Sequence, residues 1–208
     1  MDMEDVLDRT YRAKRWMEES DFPRDKRRVL EDLIALSWDN VCGMQCRAAF
    51  EQAFDELLSV GVSFALASID FRNLSGLNQK LGHEGANKVL KEIARGVIQK
   101  HARENGGEVY RVGGDEFFVI FPSKSTDDCE AIMKTMSDDA DKVVRTHKLD
   151  RLTHIKHGGL ETGAGGIDYG CVDSVEYSDK KKMLEVADER VAASKLAFIS
   201  YIRNSEKL

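Results

Sequence analysis

The sequence predicts an α/β fold in which helices flank a mixed central sheet, with a helical appendage at the amino terminus. After residue 38, apolar strand-like runs alternate with long amphipathic helices, a pattern typical of helices packed on a sheet. The segment "YRVGGDEFFVIF" at 110–121 joins two apolar runs through a glycine pair and predicts a tight hairpin. Strands linked by helices, together with one hairpin, indicate both parallel and antiparallel pairing.

The length of 208 residues corresponds to one domain of ordinary size with an added segment. Residues 1–37 are predicted to form two charged helices, over 1–20 and about 24–37, separated at Pro23. Because this segment is too short to bury a core of its own, we expect it to serve dimerisation or regulation. Residues 38–208 then form the main domain.

Composition excludes several classes of protein. The formal charge of −6 and the pI near 5.5 argue against a nucleic-acid-binding protein, which needs a basic face to neutralise phosphates. No apolar run approaches the roughly 20 residues that span a bilayer, and the amino terminus lacks a signal-peptide core. We therefore expect a cytoplasmic protein without membrane attachment, whose four cysteines are reduced.

The elements of the main domain can be predicted in order from the periodicity of apolar residues. The first is a helix in "RAAFEQAFDELLSVG", with Phe50, Phe54, Leu57 and Leu58 on one face, and it is followed by a strand in "VSFALASID". Next come a helix through Val89, Leu90, Ile93, Ala94 and Val97, the hairpin, and a helix that begins near "STDD". The last elements are two strands near 151–157 and 166–174, separated by a glycine-rich stretch (158–170), and a helix at about 179–203.

The hairpin tip carries two adjacent acids, Asp115 and Glu116, directly after Gly113 and Gly114. Glycine permits positive φ, so this pair predicts a two-residue turn. Taken alone, a Gly-Gly-acid sequence is most often a soluble turn.

A third acid changes this interpretation. Asp70 ends the apolar strand "FALASID", and if this strand pairs beside the hairpin, Asp70 approaches Asp115 or Glu116. Clustered carboxylates repel one another unless a cation lies among them. Mg²⁺ or Mn²⁺ fits such oxygen ligands and usually completes its shell with substrate phosphates. The sequence therefore points to phosphoryl or nucleotidyl transfer.

The segment "RVGGDEF" resembles the signature of GGDEF domains, the diguanylate cyclase family. Three further segments resemble that family's motifs in the same order: "DNVCGMQCRAAFE" at 39–51, "IDFRNLSGLNQKLGHEGANKVL" at 69–90 and "VADERVAASK" at 186–195. The resemblance covers roughly 38–200 and implies a palm-like, nucleotidyl-cyclase type of fold. The residues that match are Asp39, Gly43, Arg47, Phe50, Asp70, Asn78, Gly82, His83, Leu90, Ala187, Asp188 and Lys195.

The resemblance implies that two molecules of GTP, each held by one of two facing domains, condense into cyclic di-GMP with release of pyrophosphate. A homodimer is then needed for turnover. The family's metal acid corresponds to Asp70, with the backbone of Ile69–Phe71 nearby. Asp115 and Glu116 correspond to the signature acids, which share metal binding and activation of the attacking hydroxyl.

The resemblance also implies substrate contacts. Gly113 and Gly114 match glycines that let the nucleotide lie against the backbone, and Lys195 matches a lysine that contacts phosphate. Asn78 matches an asparagine that hydrogen-bonds guanine. Without the family context, Lys195 and Asn78 would be a solvated helix lysine and a helix-start asparagine.

The chain departs from the family pattern at the base and phosphate contacts. Asn87, preceded by Ala86, replaces an aspartate that accepts hydrogen bonds from guanine, and an amide offers one acceptor and one donor group. Ser75 replaces a phosphate-binding lysine, and Ala192 replaces a tyrosine. Arg72 replaces the second acid of a D-x-D motif, and its side chain either substitutes for the missing cation or points to solvent.

Three functional interpretations remain open at this stage. The first is a cyclase that makes cyclic di-GMP, the second is a relative that uses ATP or mixed purines, and the third is a sensor that binds nucleotide without turnover. The family's usual inhibitory motif, R-x-x-D, would occupy 104–107, where this chain has Glu-Asn-Gly-Gly. We therefore predict no product inhibition of that type.

Overall fold

A five-stranded mixed sheet carries the candidate site, with helices on both of its faces. The computed structural model describes residues 38–39, 41–147, 155–157, 160–162 and 166–205. The helices predicted within 1–37 lie outside these residues. Within the described part of the chain, no helix has both the length and the apolar character needed to span a bilayer.

The strands and helices follow the order predicted from the sequence, with some additions. The strands are β1 (Gln45–Cys46), β2 (Phe64–Phe71), β3 (Glu108–Arg111), β4 (Glu116–Pro122), β5 (Ile155–His157), β6 (Leu160–Thr162) and β7 (Ile167–Asp173). The helices are α1 (Arg47–Val60), α2 (Leu74–Ile93), α3 (Lys100–Glu104), α4 (Thr126–Thr146) and α5 (Lys180–Ser205), with a π-helical segment (Ala94–Gln99) between α2 and α3.

The strand order is β1-β3-β4-β2-β7, with β1 parallel to β3 and every other pair antiparallel. This confirms the predicted mixed sheet and the pairing of β2 beside the β3–β4 hairpin. Strands β5 and β6 form a separate antiparallel pair. The sequence analysis did not predict β6, because the stretch 158–170 was assigned to a glycine-rich connection.

Strand β2 is buried along its whole length except at Asp70, which is half-buried. Its side chains alternate between two apolar layers, as the period of a strand requires. Ala65, Ala67 and Ile69 pack toward α2 and α4, whereas Phe64 and Leu66 pack toward α1 and α5. By this alternation Asp70, the residue before the last of β2, belongs to the α5 face and is directed toward the carboxyl-terminal helix.

The helix boundaries have recognisable local causes. Helix α4 begins at the "STDD" sequence, as predicted, and its first turn is closed by a capping box in which Ser125 and Asp128 satisfy each other's backbone N–H groups. Helix α1 ends at Gly61, whose φ of 69° is left-handed. Helix α2 is broken at Gly82, where φ is 69° and ψ is 166°.

Candidate active site

Acidic residues of three strands lie side by side at one end of the sheet. Asp70 of β2 is directly opposite Glu116, the first residue of β4, and directly opposite Asp168 of β7. The N–H of Phe71 donates to the carbonyl oxygen of Asp115 at 2.8 Å, which ties the hairpin tip to the end of β2. The structure thus places Asp70 beside the hairpin tip that carries Asp115 and Glu116, as the sequence predicted for these two segments.

Asp70 is paired with a cation from the carboxyl-terminal helix. The Nζ atom of Lys195 lies 2.8 Å from Asp70 Oδ2, and the Asp70 side chain is only 18% exposed. Burial raises the pKa of Asp70 above its ordinary value, while the contact with Lys195 acts in the opposite direction and the charge of Asp115 adds to the increase. The carboxylate is therefore held in a partly desolvated position next to a positive charge.

Two cavities meet at the Asp70–Lys195 ion pair, and both are lined by these two residues. The first cavity, of about 290 Å³, is also lined by Arg72, Ser75 and Asp115. The second cavity, of about 360 Å³, is also lined by Arg47, Glu116, Asp188 and Ala192. The two adjacent acids of the hairpin tip thus face different cavities, on either side of the ion pair.

The carboxylates at this site fit a divalent metal ion whose coordination shell is completed by substrate phosphates. Among the described residues, no three His, Cys, Asp or Glu side chains come close enough to hold a metal by themselves. Mg²⁺ commonly takes one or two carboxylates, with water and phosphate oxygens as its other ligands. Asp70, with Asp115 or Glu116, can supply those carboxylates, and the ammonium of Lys195 beside Asp70 indicates that this position favours a cation.

Two arginines brace the hairpin tip. Arg111 contacts Asp39 Oδ1 through Nη1 at 2.6 Å and donates from Nη2 to the Gly114 carbonyl at 2.6 Å. Arg47 donates from Nε to the Val112 carbonyl at 3.1 Å. These contacts explain why a surface turn can present acids in fixed positions. The motif match identified Asp39 and Arg47 without assigning them a role, and Arg111 was missed, although it stands within the quoted hairpin.

The predicted two-residue turn with glycines at positive φ is wrong. The strands are joined by residues 112–115, and neither Gly113 nor Gly114 has a left-handed φ. At Gly113 an added Cβ would overlap the Glu116 carboxylate, whereas at Gly114 nothing lies within 4 Å. A side chain at the first position would therefore make the Glu116 side chain shift, and the second position leaves open space beside the tip.

Comparison with known proteins decides the family. A family model described as "Diguanylate cyclase, GGDEF domain" matches residues 36–197. The chain belongs to the GGDEF family of diguanylate cyclases. Its fold resembles that of the coiled coil and GGDEF domain of DgcB from Caulobacter crescentus, determined in complex with c-di-GMP, with a TM-score of 0.63 over 94% of each chain at 21% identity.

Curated relatives differ in their named activity. The chain is 26% identical over 152 residues to diguanylate cyclase VdcA of Vibrio cholerae, covering 73% of this chain and 42% of that protein. It is 23% identical over 160 residues to the cyclic di-GMP phosphodiesterase PdeB of Shewanella oneidensis, covering 76% of this chain and 17% of that protein. The chain thus spans less than half the length of these GGDEF relatives.

The other residues matched to GGDEF motifs have different environments. Ile69 is buried within β2 and lines the second cavity. Asn78 is half-buried and Asn87 is exposed, on opposite sides of the break at Gly82 in α2. Neither asparagine is among the residues that line the two cavities. Their contact with a guanine base remains a prediction.

Arg72, which departs from the GGDEF pattern, is buried in the fold. The alternative that its side chain points to solvent is wrong, since Arg72 is 8% exposed and forms two hydrogen bonds with Asp168, at 3.1 and 3.0 Å. Asp168 is 1% exposed and was missed by sequence reasoning. A signal was present, because an acid inside the otherwise apolar strand "IDYGCV" requires a buried partner.

Proposed function

We propose that this chain is a metal-dependent nucleotidyltransferase that condenses two molecules of GTP into cyclic di-GMP. The observation that carries this proposal is the register of β2 and β4, which sets Asp70 opposite Glu116 with Asp115 tied to Phe71 at a cavity edge. Membership of the GGDEF family supports the same reaction class.

The chemistry assigned to the site is the attack of a 3′-hydroxyl on the α-phosphate of the other nucleotide. The attack occurs twice, once from each nucleotide: each time a new P–O bond forms to the 3′-oxygen, the bond between the α- and β-phosphates breaks and one pyrophosphate leaves, so ring closure releases two pyrophosphates. The proton of the hydroxyl passes to a carboxylate of the hairpin tip, Asp115 or Glu116. Mg²⁺ or Mn²⁺ bound at Asp70 would neutralise charge on the phosphates.

Substrate binding is assigned to residues around the first cavity. Lys195 lines this cavity and can donate to phosphate oxygens once its contact with Asp70 is exchanged. The open space beside Gly114 allows a nucleotide to approach the backbone of the tip. Asn78 is assigned to the base, as the family motif implies.

Turnover requires two copies of the domain, since each domain supplies one set of acids and holds one nucleotide. A homodimer that places two hairpin tips face to face would satisfy this need. Residues 1–37 are proposed to mediate the pairing or to regulate it.

A second candidate function differs in the base. Asn87 stands where the GGDEF motif has an aspartate, and its amide can pair with adenine as well as with guanine. The chain would then form an adenine-containing cyclic dinucleotide from ATP or mixed purines. A sensor that binds nucleotide without turnover is the third reading, supported by Ser75 in place of the family lysine.

Product analysis separates these functions. Purified protein is incubated with GTP, ATP or both, with Mg²⁺ or Mn²⁺, and the products are identified by mass spectrometry. Cyclic di-GMP as the product supports the main proposal, an adenine-containing product supports the second, and nucleotide binding without product supports the sensor. If Asn87 relaxes base choice, Asn87→Asp should shift the ratio of GTP to ATP use toward GTP by about tenfold.

Two variants test the assignment of the acids. Glu116→Gln keeps the size of the side chain and removes its charge, so product formation should fall by at least ~100-fold. Glu130→Gln is the matched control, because Glu130 is exposed on α4 and lines neither cavity. Equal activity of Glu116→Gln and the control would show that the tip acid takes no part in the reaction.

A further inference from the structure

Arg72 and Asp168 form a buried ion pair at the wall of the first cavity. The guanidinium donates from Nε to Asp168 Oδ2 at 3.1 Å and from Nη2 to Asp168 Oδ1 at 3.0 Å, a two-pronged arrangement. Nη2 also donates to the carbonyl of Ile167 at 3.0 Å. On its other side, Nη1 lies 3.6 Å from Asp141 of α4. The cation is therefore held by β7 and α4 from within the fold.

The same pair holds two successive turns of α5. Ser194 donates from its hydroxyl to Asp168 Oδ1 at 3.0 Å, and the Arg72 guanidinium lies 3.5 Å from the centroid of the Phe198 ring. Ser194 and Phe198 are one turn apart, on the same face of the helix. Between them stands Lys195, whose Nζ contacts Asp70. The ion pair thus fixes the helix on both sides of the lysine that reaches the acidic site.

Stability alone does not account for this pair. Burying two charges carries a desolvation penalty that often equals their attraction, so a well-packed apolar pair is frequently as stable. Asp168 also lies directly opposite Asp70 and, if it were not neutralised, would add a further negative charge at the site. Arg72 both cancels that charge and gives Asp168 a fixed position from which to accept the Ser194 hydroxyl.

We propose that Arg72 and Asp168 are positioning residues that hold α5 so that Lys195 is presented at Asp70 and the first cavity. This inference rests on the proposed function only in taking Lys195 as a phosphate-binding side chain. The segment after β2 has Ser75 where GGDEF relatives have a lysine, and its own cation, Arg72, faces inward. The phosphate contact is therefore organised from α5 instead.

The first test measures the position of Lys195 without any nucleotide. The folded protein is treated briefly with an amine-reactive ester, and the labelling rate of Lys195 is measured by mass spectrometry relative to that of Lys181. Removing both charges with Arg72→Met/Asp168→Asn should raise this ratio by about threefold or more, because an unanchored lysine loses the cover of Asp70. An unchanged ratio would overturn the proposal.

The control removes another anchor of the same helix. Arg190 joins α5 to β7 through the Cys171 carbonyl and to Glu176, away from the two cavities. Arg190→Met should leave the labelling of Lys195 unchanged. If this variant raises it as much as the double variant does, general docking of α5 controls the lysine and the proposal fails. The double variant is used because Arg72→Met alone would leave the Asp168 carboxylate buried without its cation.

The second test asks whether the pair acts through Lys195. Affinity for a non-hydrolysable GTP analogue with Mg²⁺ is measured for the wild type, Arg72→Met/Asp168→Asn, Lys195→Met and the triple variant. The double variant should bind on the order of tenfold more weakly, the loss of one charge-assisted contact. The triple variant should match Lys195→Met alone. Additive losses would show that the pair does not act through Lys195.

The two proposals can fail separately. If the wild type binds neither GTP nor ATP analogues, the proposed nucleotidyltransferase function fails, whereas the labelling experiment still decides whether Arg72 and Asp168 position Lys195.

Discussion

Replacing Lys195 with methionine should strengthen the binding of Mn²⁺ to the nucleotide-free protein. In the structure, the ammonium group lies 2.8 Å from Asp70 Oδ2, so a metal ion that binds this carboxylate must first displace the lysine. Removal of the ammonium leaves Asp70 with its charge available. The same substitution should weaken nucleotide binding, since Lys195 also lines the first cavity.

The magnitude follows from the geometry of the pair. Two unit charges 2.8 Å apart attract by about 1.5 kcal/mol in bulk water and about 6 kcal/mol at an effective dielectric constant of ~20. The Lys195 side chain is 42% exposed, so solvent screening and the ordering of a long side chain reduce the net value to about 1 kcal/mol. Mn²⁺ should therefore bind roughly fivefold more tightly to the variant.

The assay is a titration with Mn²⁺ at pH 7.5 and low salt, in which electron paramagnetic resonance measures the concentration of free Mn²⁺. Lys181→Met is the matched control, because Lys181 lies on the same helix with 84% exposure and is 3.8 Å from Glu185. It removes the same charge from α5 without touching Asp70. If Lys195→Met binds Mn²⁺ no more tightly than this control, the ion pair does not compete with the metal, and the reasoning is refuted.

Three further predictions concern stability, pH and regulation. Gly170→Ala should destabilise the fold by about 1–3 kcal/mol and lower the urea midpoint, because an added Cβ would overlap the Ala187 carbonyl and lie 2.8 Å from the Val191 N. Gly114→Ala is the control and should leave the urea midpoint unchanged, since nothing lies within 4 Å of an added Cβ there. Asp70→Asn should make the protein more stable than the wild type at neutral pH but not in acid. Burial raises the pKa of Asp70, so the wild type loses stability as pH rises through that value and the carboxyl group ionises, whereas asparagine stays neutral. Urea melts of both proteins between pH 3 and 8 check this, and a difference in stability that does not change with pH would contradict it. Added cyclic di-GMP should not reduce initial rates through residues 104–107, and a saturable inhibition abolished by substitutions there would show otherwise.

The core of the fold could be predicted because periodicity and turn residues report local structure directly. The strand "FALASID" is apolar up to Asp70 except at Ser68, and this pattern already indicates a buried strand with an acid near its end. The hairpin pairs with it in the register that sets Asp70 opposite Glu116. Once these two segments are neighbours, the meeting of the acids follows from geometry.

The rest of the site depends on contacts between residues distant in the sequence. Nothing near Arg72 shows that its partner is Asp168, 96 positions later, and both interpretations of Arg72 were compatible with its neighbours. The glycine pair was misread for a different reason. Positive φ is the commonest explanation for glycine in a turn, whereas Gly113 lies against the side chain of Glu116, three residues later, and the sequence pattern does not report the conformation of that one side chain.

The pairing of cations in the first cavity determines how metal and nucleotide can bind. Of the residues that line it, Arg72 and Lys195 carry positive charge, and both already have acidic partners, Asp168 and Asp70. A triphosphate alone would have to break the Lys195–Asp70 contact and leave an unpaired carboxylate beside it. A metal alone would have to displace the ammonium. If both bound, the metal would take Asp70 and the phosphate would take Lys195, so each group would exchange one partner for another. The proposed site would therefore favour joint binding, and we expect the affinity for each ligand to rise when the other is present.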